Sequence, residues 1–149
     1  MTFRSLQCCF TKAALKDKNY ELAIKYADEI LAQNYIFPDA HLVKNRAYES
    51  LGQSDKALYH RYVLNGLIES MLQSGDGKSP ESAFVVVLID EESVILNVLN
   101  VKQGEQASTD IDGHSYDIID GVNLTTGNSI KVYFNIDIPF GVLIKSLQP

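Results

Sequence analysis

Asn19-Tyr20-Glu21-Leu22-Ala23 and Gln53-Ser54-Asp55-Lys56-Ala57 decide the reading of this chain. Ala23 and Ala57 stand 34 residues apart, the period of a helix–turn–helix repeat. Such a unit needs a small residue where its two helices cross closely, and both alanines supply one. It also needs a turn between helices. Leu51-Gly52-Gln53-Ser54 supplies it: Gly52 suits a left-handed helix end, and Gln53 or Ser54 suits the start of the next helix. Pro38 lies between the repeats, where it opens a helix without interrupting one.

Working outward from these marks, the chain is expected to form helices over roughly 4–17, 20–33, 39–51 and 54–73. Leu22, Ala23, Tyr26, Ala27, Ile30 and Leu31 recur at 3.6-residue spacing in the second. Leu42, Val43, Ala47, Tyr48 and Leu51 do so in the third. Leu58, Tyr62, Leu64, Ile68, Met71 and Leu72 form the expected core stripe of the fourth.

Residues 4–72 resemble the tetratricopeptide repeat family, on Tyr20, Ala23, Ala27, Tyr48, Gly52 and Ala57. His41 and Gln7 stand where that motif places a large aromatic, and Tyr35 where it closes with proline. Two units fall short of the three normally needed for an independent stack, so the β domain is expected to cap the open end. The first helix of each unit lines the family's inner groove, which binds extended peptides. The resemblance therefore implies a binding surface of Cys8, Lys12, Lys16, Leu42, Arg46 and Glu49. Its three cations suit a peptide carboxylate or acidic side chains; the alternative is a solvated charged helix face.

Ser74-Gly75-Asp76-Gly77-Lys78-Ser79-Pro80 breaks the helical pattern. Gly77-Lys78-Ser79 matches the end of a nucleotide-binding phosphate loop, but Leu72 occupies the position of that loop's first glycine, and no strand precedes it. The segment reads as a tight turn. The domains are accordingly a helical region at 1–73, a linker at 74–82 and a β domain at 83–149.

In the β domain, Ala83 to Ile89 is expected to be a central strand, with Val94 to Leu99 returning beside it after a polar turn at Asp90-Glu91-Glu92-Ser93. Gln103 to Gly113 reads as a polar loop, and His114 to Leu124 as a third strand. After a turn at Thr125 to Asn128, Ser129 to Asp137 is a fourth strand with Ile130, Val132, Phe134 and Ile136 on one face. Pro139 to Leu147 docks back as a short helix or a last strand, with helix favoured. The fold class is α+β: about four tetratricopeptide-like helices, then a small antiparallel sheet of four to five strands.

A second resemblance covers most of the chain. It is carried by Gly75-Asp76-Gly77-Lys78-Ser79-Pro80-Glu81-Ser82-Ala83-Phe84, by Asp112-Gly113-His114-Ser115-Tyr116-Asp117 and by Val132-Tyr133-Phe134-Asn135-Ile136-Asp137-Ile138-Pro139-Phe140-Gly141. These phrases are similar to those of an uncharacterised bacterial family known as a domain of unknown function. The resemblance implies no catalytic residues. Members of that family often carry export signals and further sequence upstream.

Three chemistries can be weighed on the residues. Asp112, His114 and Asp117, with Asp137 on a neighbouring strand, are the weak candidates for a general base oriented by a carboxylate, but no nucleophile elbow accompanies them. A calcium loop with Gly113 at its sixth position would put Ser108, Asp110 and Asp112 at positions one, three and five, and Ile119 where a bidentate Glu is required. A looser divalent set would be Asp110, Asp112 and Asp120. His41, His60 and His114 lack metal-ligand spacing, so no metal or other cofactor is assigned.

Charge narrows the partner. Residues 1–75 hold nine basic and eight acidic side chains, and residues 76–149 hold four and eleven. The acidic second half repels phosphate backbones, so nucleic acid is excluded as its partner. The adjacent Cys8 and Cys9 are expected as reduced thiols on an apolar helix face, since neighbours bridge only through a strained ring. No apolar run reaches the roughly 20 residues of a membrane span. The N-terminus shows no leader, which reads as cytoplasmic, or as periplasmic or secreted where a leader has been removed. The leading expectation is a non-enzymatic module that binds an unidentified protein or peptide. The alternatives are a small hydrolase or metal-dependent enzyme at His114 and its aspartates, and a self-associating structural protein pairing through a strand edge.

Overall fold

The computed structural model describes residues 3–141, with side chains from Cys9 onward. The chain divides between Leu67 and Ile68 into two compact units. Four helices come first: α1 (Phe3–Lys16), α2 (Tyr20–Gln33), α3 (Pro38–Ser50) and α4 (Ser54–Gln73), the last running across the division. Their ends follow the local chemistry. The Asn19 side chain accepts from the Leu22 amide at α2, and Pro38 opens α3. After α3, Gly52 takes φ +70°, while Gln53 N–H donates to Tyr48 and Gly52 N–H to Glu49. That pair of bonds is a Schellman end, closed on a residue without Cβ.

Within the first unit Ala23, Ala27, Ala47 and Ala57 are almost wholly buried, with Ile30, Phe37 and Val43 beside them in the core. Small side chains let helix backbones approach, so the core forms from close backbones as much as from bulk. The inward face of α4 departs from the expected stripe. Tyr62 is 80% exposed and Leu58 51% exposed, whereas Ala57, His60, Leu64 and Met71 are buried. The buried positions keep helical spacing but run through a histidine, so Leu64 and Met71 of the expected stripe face inward while Leu58 and Tyr62 do not.

The second unit is a four-stranded mixed sheet in the order β1-β4-β3-β2. β1 (Phe84–Val85) follows a 3₁₀ turn at Pro80–Ser82 and pairs parallel with β4 (Ser129–Asn135). β2 (Val101–Ile111) and β3 (His114–Asn123) form an antiparallel hairpin, and β3 pairs antiparallel with β4. The expected antiparallel sheet is therefore corrected to a mixed one. Between β1 and β2 runs α5 (Asp90–Val98), so the chain crosses from one edge of the sheet to the other through a helix.

Three further expectations are corrected by this topology. The strand expected at Ala83 to Ile89 shrinks to Phe84–Val85 at the sheet edge. The turn and returning strand expected at 90–99 are α5. The exposed Asp90 in its first turn complements the helix dipole, and the buried positions 91, 92, 95 and 96 keep helical spacing. The loop expected at 103–113 is β2. Its hairpin turns on Asp112 (φ +51°) and Gly113 (φ +84°), the signature of a two-residue type I′ turn.

Register places Ile119 opposite Val132 and Asp117 opposite Phe134. Ile119, Val132 and Phe134 pack with Ile95 and Leu96 of α5, Phe84, and Met71 from the last turn of α4. Residues 137–141 are helical, in keeping with the expected tail; the remainder of that expectation lies outside the described residues.

Candidate functional site

Lys12, Leu15 and Lys16 fall on one face of α1 at three- and four-residue spacing, and Leu42, Val43, Arg46, Glu49 and Ser50 fall on one face of α3. Together with Lys18 from the α1–α2 connection and Tyr20 at the start of α2 they line an open groove of about 660 Å³. That volume lies in the range of ordinary ligand sites. The five binding residues expected from the sequence, Lys12, Lys16, Leu42, Arg46 and Glu49, thus stand around one depression. The side chain of Cys8 lies outside the described residues, and Cys9 is a free, exposed thiol rather than part of an apolar face.

The groove is cationic on an apolar floor. Lys12 Nζ pairs with Asp39 at 2.6 Å. Among the described residues, Lys16, Lys18 and Arg46 form no ion pair, and Glu49 is the one acid in the lining. Leu15, Leu42 and Val43 supply the floor, with Tyr20 at its rim. Sequence spacing misses Lys18 because it follows the helix, at φ +59°.

Beside the groove helices sits a buried histidine pair. His41 Nε2 donates to the Tyr35 carbonyl at 2.8 Å, which leaves the other nitrogen of a neutral ring as an acceptor. His60 Nδ1–H then donates to His41 Nδ1 at 3.0 Å. Tyr48 stacks on His60 and Tyr59 meets it edge-on. Burial pushes His41 below the usual histidine range, and burial, the Lys44 charge and His41 itself push His60 down to about 4. The unfolded chain takes up a proton near pH 6.5 and the folded His60 only near 4, so the unfolded state binds more protons as pH falls between them. Stability is complete above pH 6.5 and is lost on acidification, by about 2 kcal/mol between pH 7 and 4.5 from this ring. Urea midpoints at the two pH values measure the loss, and NMR titration should place His60 near pH 4; a midpoint at 6.5 would contradict its burial.

The weak catalytic candidates separate in space. His114 Nδ1 meets Asp137 Oδ2 at 2.7 Å on an exposed surface, and Asp137 also accepts from the Ser115 amide at 2.7 Å. These bonds hold Asp137 below the usual carboxylate range, the Ser115 amide contributing most. Asp112 is spent in the β2–β3 turn. Asp117 is buried and accepts from Ser108 Oγ and from Gln106 Nε2 at 2.8 Å. Three residues along a strand also put His114 and Asp117 on opposite faces. Asp110 accepts from Ser115 Oγ, and Asp120 pairs with Lys131, so the loose divalent set is not assembled. Among the described residues no three His, Cys, Asp or Glu converge as metal ligands.

Glu92, unremarked in the sequence, is the most perturbed acid. It is 4% exposed, and burial, then the Asp117 charge, pushes it up to about 8. Glu91 beside it is also buried and accepts from the Val87 and Leu88 amides.

A family profile described as a domain of unknown function, DUF4919, matches residues 2–141. The chain belongs to this family. DUF4919 brings no assigned activity, so function has to be argued from the geometry of this member. No curated protein and no solved structure matches the chain. No helix among the described residues is long and apolar enough to cross a membrane.

Proposed function

We propose that this DUF4919 chain is a non-enzymatic interaction module whose α1–α3 groove binds a protein or peptide segment bearing carboxylates. The observation that carries the reading is the groove itself: Lys16, Lys18 and Arg46 without ion-pair partners, over Leu15, Leu42 and Val43. Apolar floor supplies binding energy and unpaired cations supply orientation and selectivity. The 34-residue spacing of Ala23 and Ala57, both buried, supports a tetratricopeptide-like pair of hairpins, in which α1 and α3 are the groove helices.

The test is fluorescence anisotropy with a panel of labelled peptides, acidic or neutral, each with a free or an amidated C-terminus. Acidic peptides should bind and their affinity should fall with salt. Lys16→Glu with Arg46→Glu should weaken binding at least about tenfold, roughly 1.4 kcal/mol. Equal affinity for neutral and acidic peptides, or indifference to the reversal, would end this reading.

The alternative of a hydrolase at His114 has the His114–Asp137 hydrogen bond in its favour. Against it stands the neighbouring hydroxyl, since Ser115 Oγ is committed to Asp110. That reading requires a hydrolytic activity abolished by His114→Ala.

A further inference from the structure

Glu92 on α5 and Asp117 on β3 are each 4% exposed, and one amide, Gln106 Nε2, reaches both: 2.8 Å to Asp117 Oδ2 and 3.4 Å to Glu92 Oε2. Ser108 Oγ donates to the other Asp117 oxygen. Among the described residues no lysine, arginine or histidine pairs with either carboxyl. Glu92 Oε1 is buried with no hydrogen-bond partner among them. Two carboxylates side by side away from water cannot both stay ionised; one positive species has to sit between them. A metal would need more donors than this, and no third acid, histidine or cysteine joins the pair. A proton suffices, and it makes Glu92 a neutral acid beside an ionised Asp117.

We propose that Glu92 and Asp117 form a proton-operated latch: one shared proton holds α5 against the sheet, and its loss releases the helix. The groups facing Glu92 all act in the same sense. From β3 it meets Asp117, and from its own helix Asp90, both of which disfavour ionisation. Glu91 is turned to the Val87 and Leu88 amides. β2 faces the pair with the uncharged Gln106 and Ser108, its charged Lys102, Glu105 and Asp110 being solvent-exposed. The direction follows from linkage. The folded chain keeps a proton on Glu92 up to about pH 8, whereas the unfolded or detached helix loses it near 4.5. Closure is complete below pH 4.5 and weakens as pH rises through 8.

Amide hydrogen exchange of α5 in the full chain, corrected for intrinsic rates, tests this between pH 6 and 9. Protection of α5 should fall up to about a hundredfold in the natural sequence. Glu92→Gln, which keeps the shape of the protonated acid, should hold α5 protection flat; if that variant fails to fold, Asp117→Asn, which removes the facing charge but not the burial, should shrink the fall and move it to lower pH. A fall in Glu92→Gln equal to that of the natural chain, an unchanged fall in Asp117→Asn, or no fall in the natural chain, overturns the latch. So does millimolar calcium or magnesium restoring protection at pH 9 with reversal by chelator, because a cation would then be the occupant.

Discussion

Phe134→Ala is expected to remove about 3–5 kcal/mol from the C-terminal unit. The ring is completely buried on β4 and meets Phe84 at 5.9 Å between centroids, across the parallel pairing that attaches β1. It belongs to the cluster that also holds Ile95, Ile119 and Val132, so its loss leaves a cavity where helix and sheet meet. Backbone on the sheet side is fixed by ladder bonds to β3, which limits collapse into that space. At about 0.05–0.15 kcal/mol per residue, a unit of roughly 80 residues holds only about 4–12 kcal/mol in total. The variant should therefore be marginal at best. Phe134→Leu, which keeps most of the volume, should cost no more than about 1.5 kcal/mol. Tyr62→Ala, at an 80% exposed position, should fall within about 0.5 kcal/mol of the natural chain. Urea unfolding by circular dichroism, with amide exchange on β3 and β4, measures all three. A Phe134→Ala chain as stable as Phe134→Leu would show that the ring does not pack as described.

The helical unit was legible because its signals are local. Asn19, Pro38 and Gly52 each act within one turn of themselves, and they fixed helix ends to within a residue or two. The groove residues Lys12, Lys16, Leu42, Arg46 and Glu49 came from the resemblance to tetratricopeptide repeats, and they line one depression between α1 and α3. The inward face of α4 was obscured by His60. A buried histidine carries no apolar label, and its burial depends on His41 and Tyr48 from another helix. In the second unit the strongest β-forming run, Ala83 to Ile89, was given too much weight. Valines at 85 and 87 are exposed, and only two residues pair. The polar run at 102–110 was given too little. It pairs because Asp112-Gly113 turns the chain tightly back onto a β3 whose own core face is apolar, a signal present in the sequence and outweighed there by composition. Glu92 could not be singled out, because three consecutive acids read as a solvated turn. Its burial arises only when α5 lies on the sheet over Asp117.

Gly75→Ala is the second large effect, and it comes from steric exclusion rather than lost burial. A Cβ at this position would lie 2.3 Å from the Ser82 carbonyl oxygen and 2.5 Å from that of Ala83. Both are backbone atoms, so no rotamer change relieves the clash. The Ser82 carbonyl is also an acceptor for the Asp76 and Gly77 amides, at 2.9 and 2.8 Å. Asp76 in turn takes the Ser82 hydroxyl, the Lys78 ammonium and the Lys78 amide, which hold its carboxyl down to about 2. Gly77 then receives the Tyr133 amide of β4 on its carbonyl. Moving the Ser82 carbonyl therefore disturbs the hydrogen bonds that fasten this turn to the sheet. We expect a loss of about 3 kcal/mol or more, the range of overpacking against backbone that cannot yield. Gly52→Ala makes the informative contrast. Gly52 has φ +70° but open space around a Cβ, so only left-handed strain applies, at about 1 kcal/mol. Paired urea titrations should show the Gly75 variant falling by at least twice the Gly52 loss, with the protection lost in β1 and β4. Equal, small losses at both positions would mean that the 74–82 turn does not pack against its own carbonyls, and that the sheet holds its first strand without it.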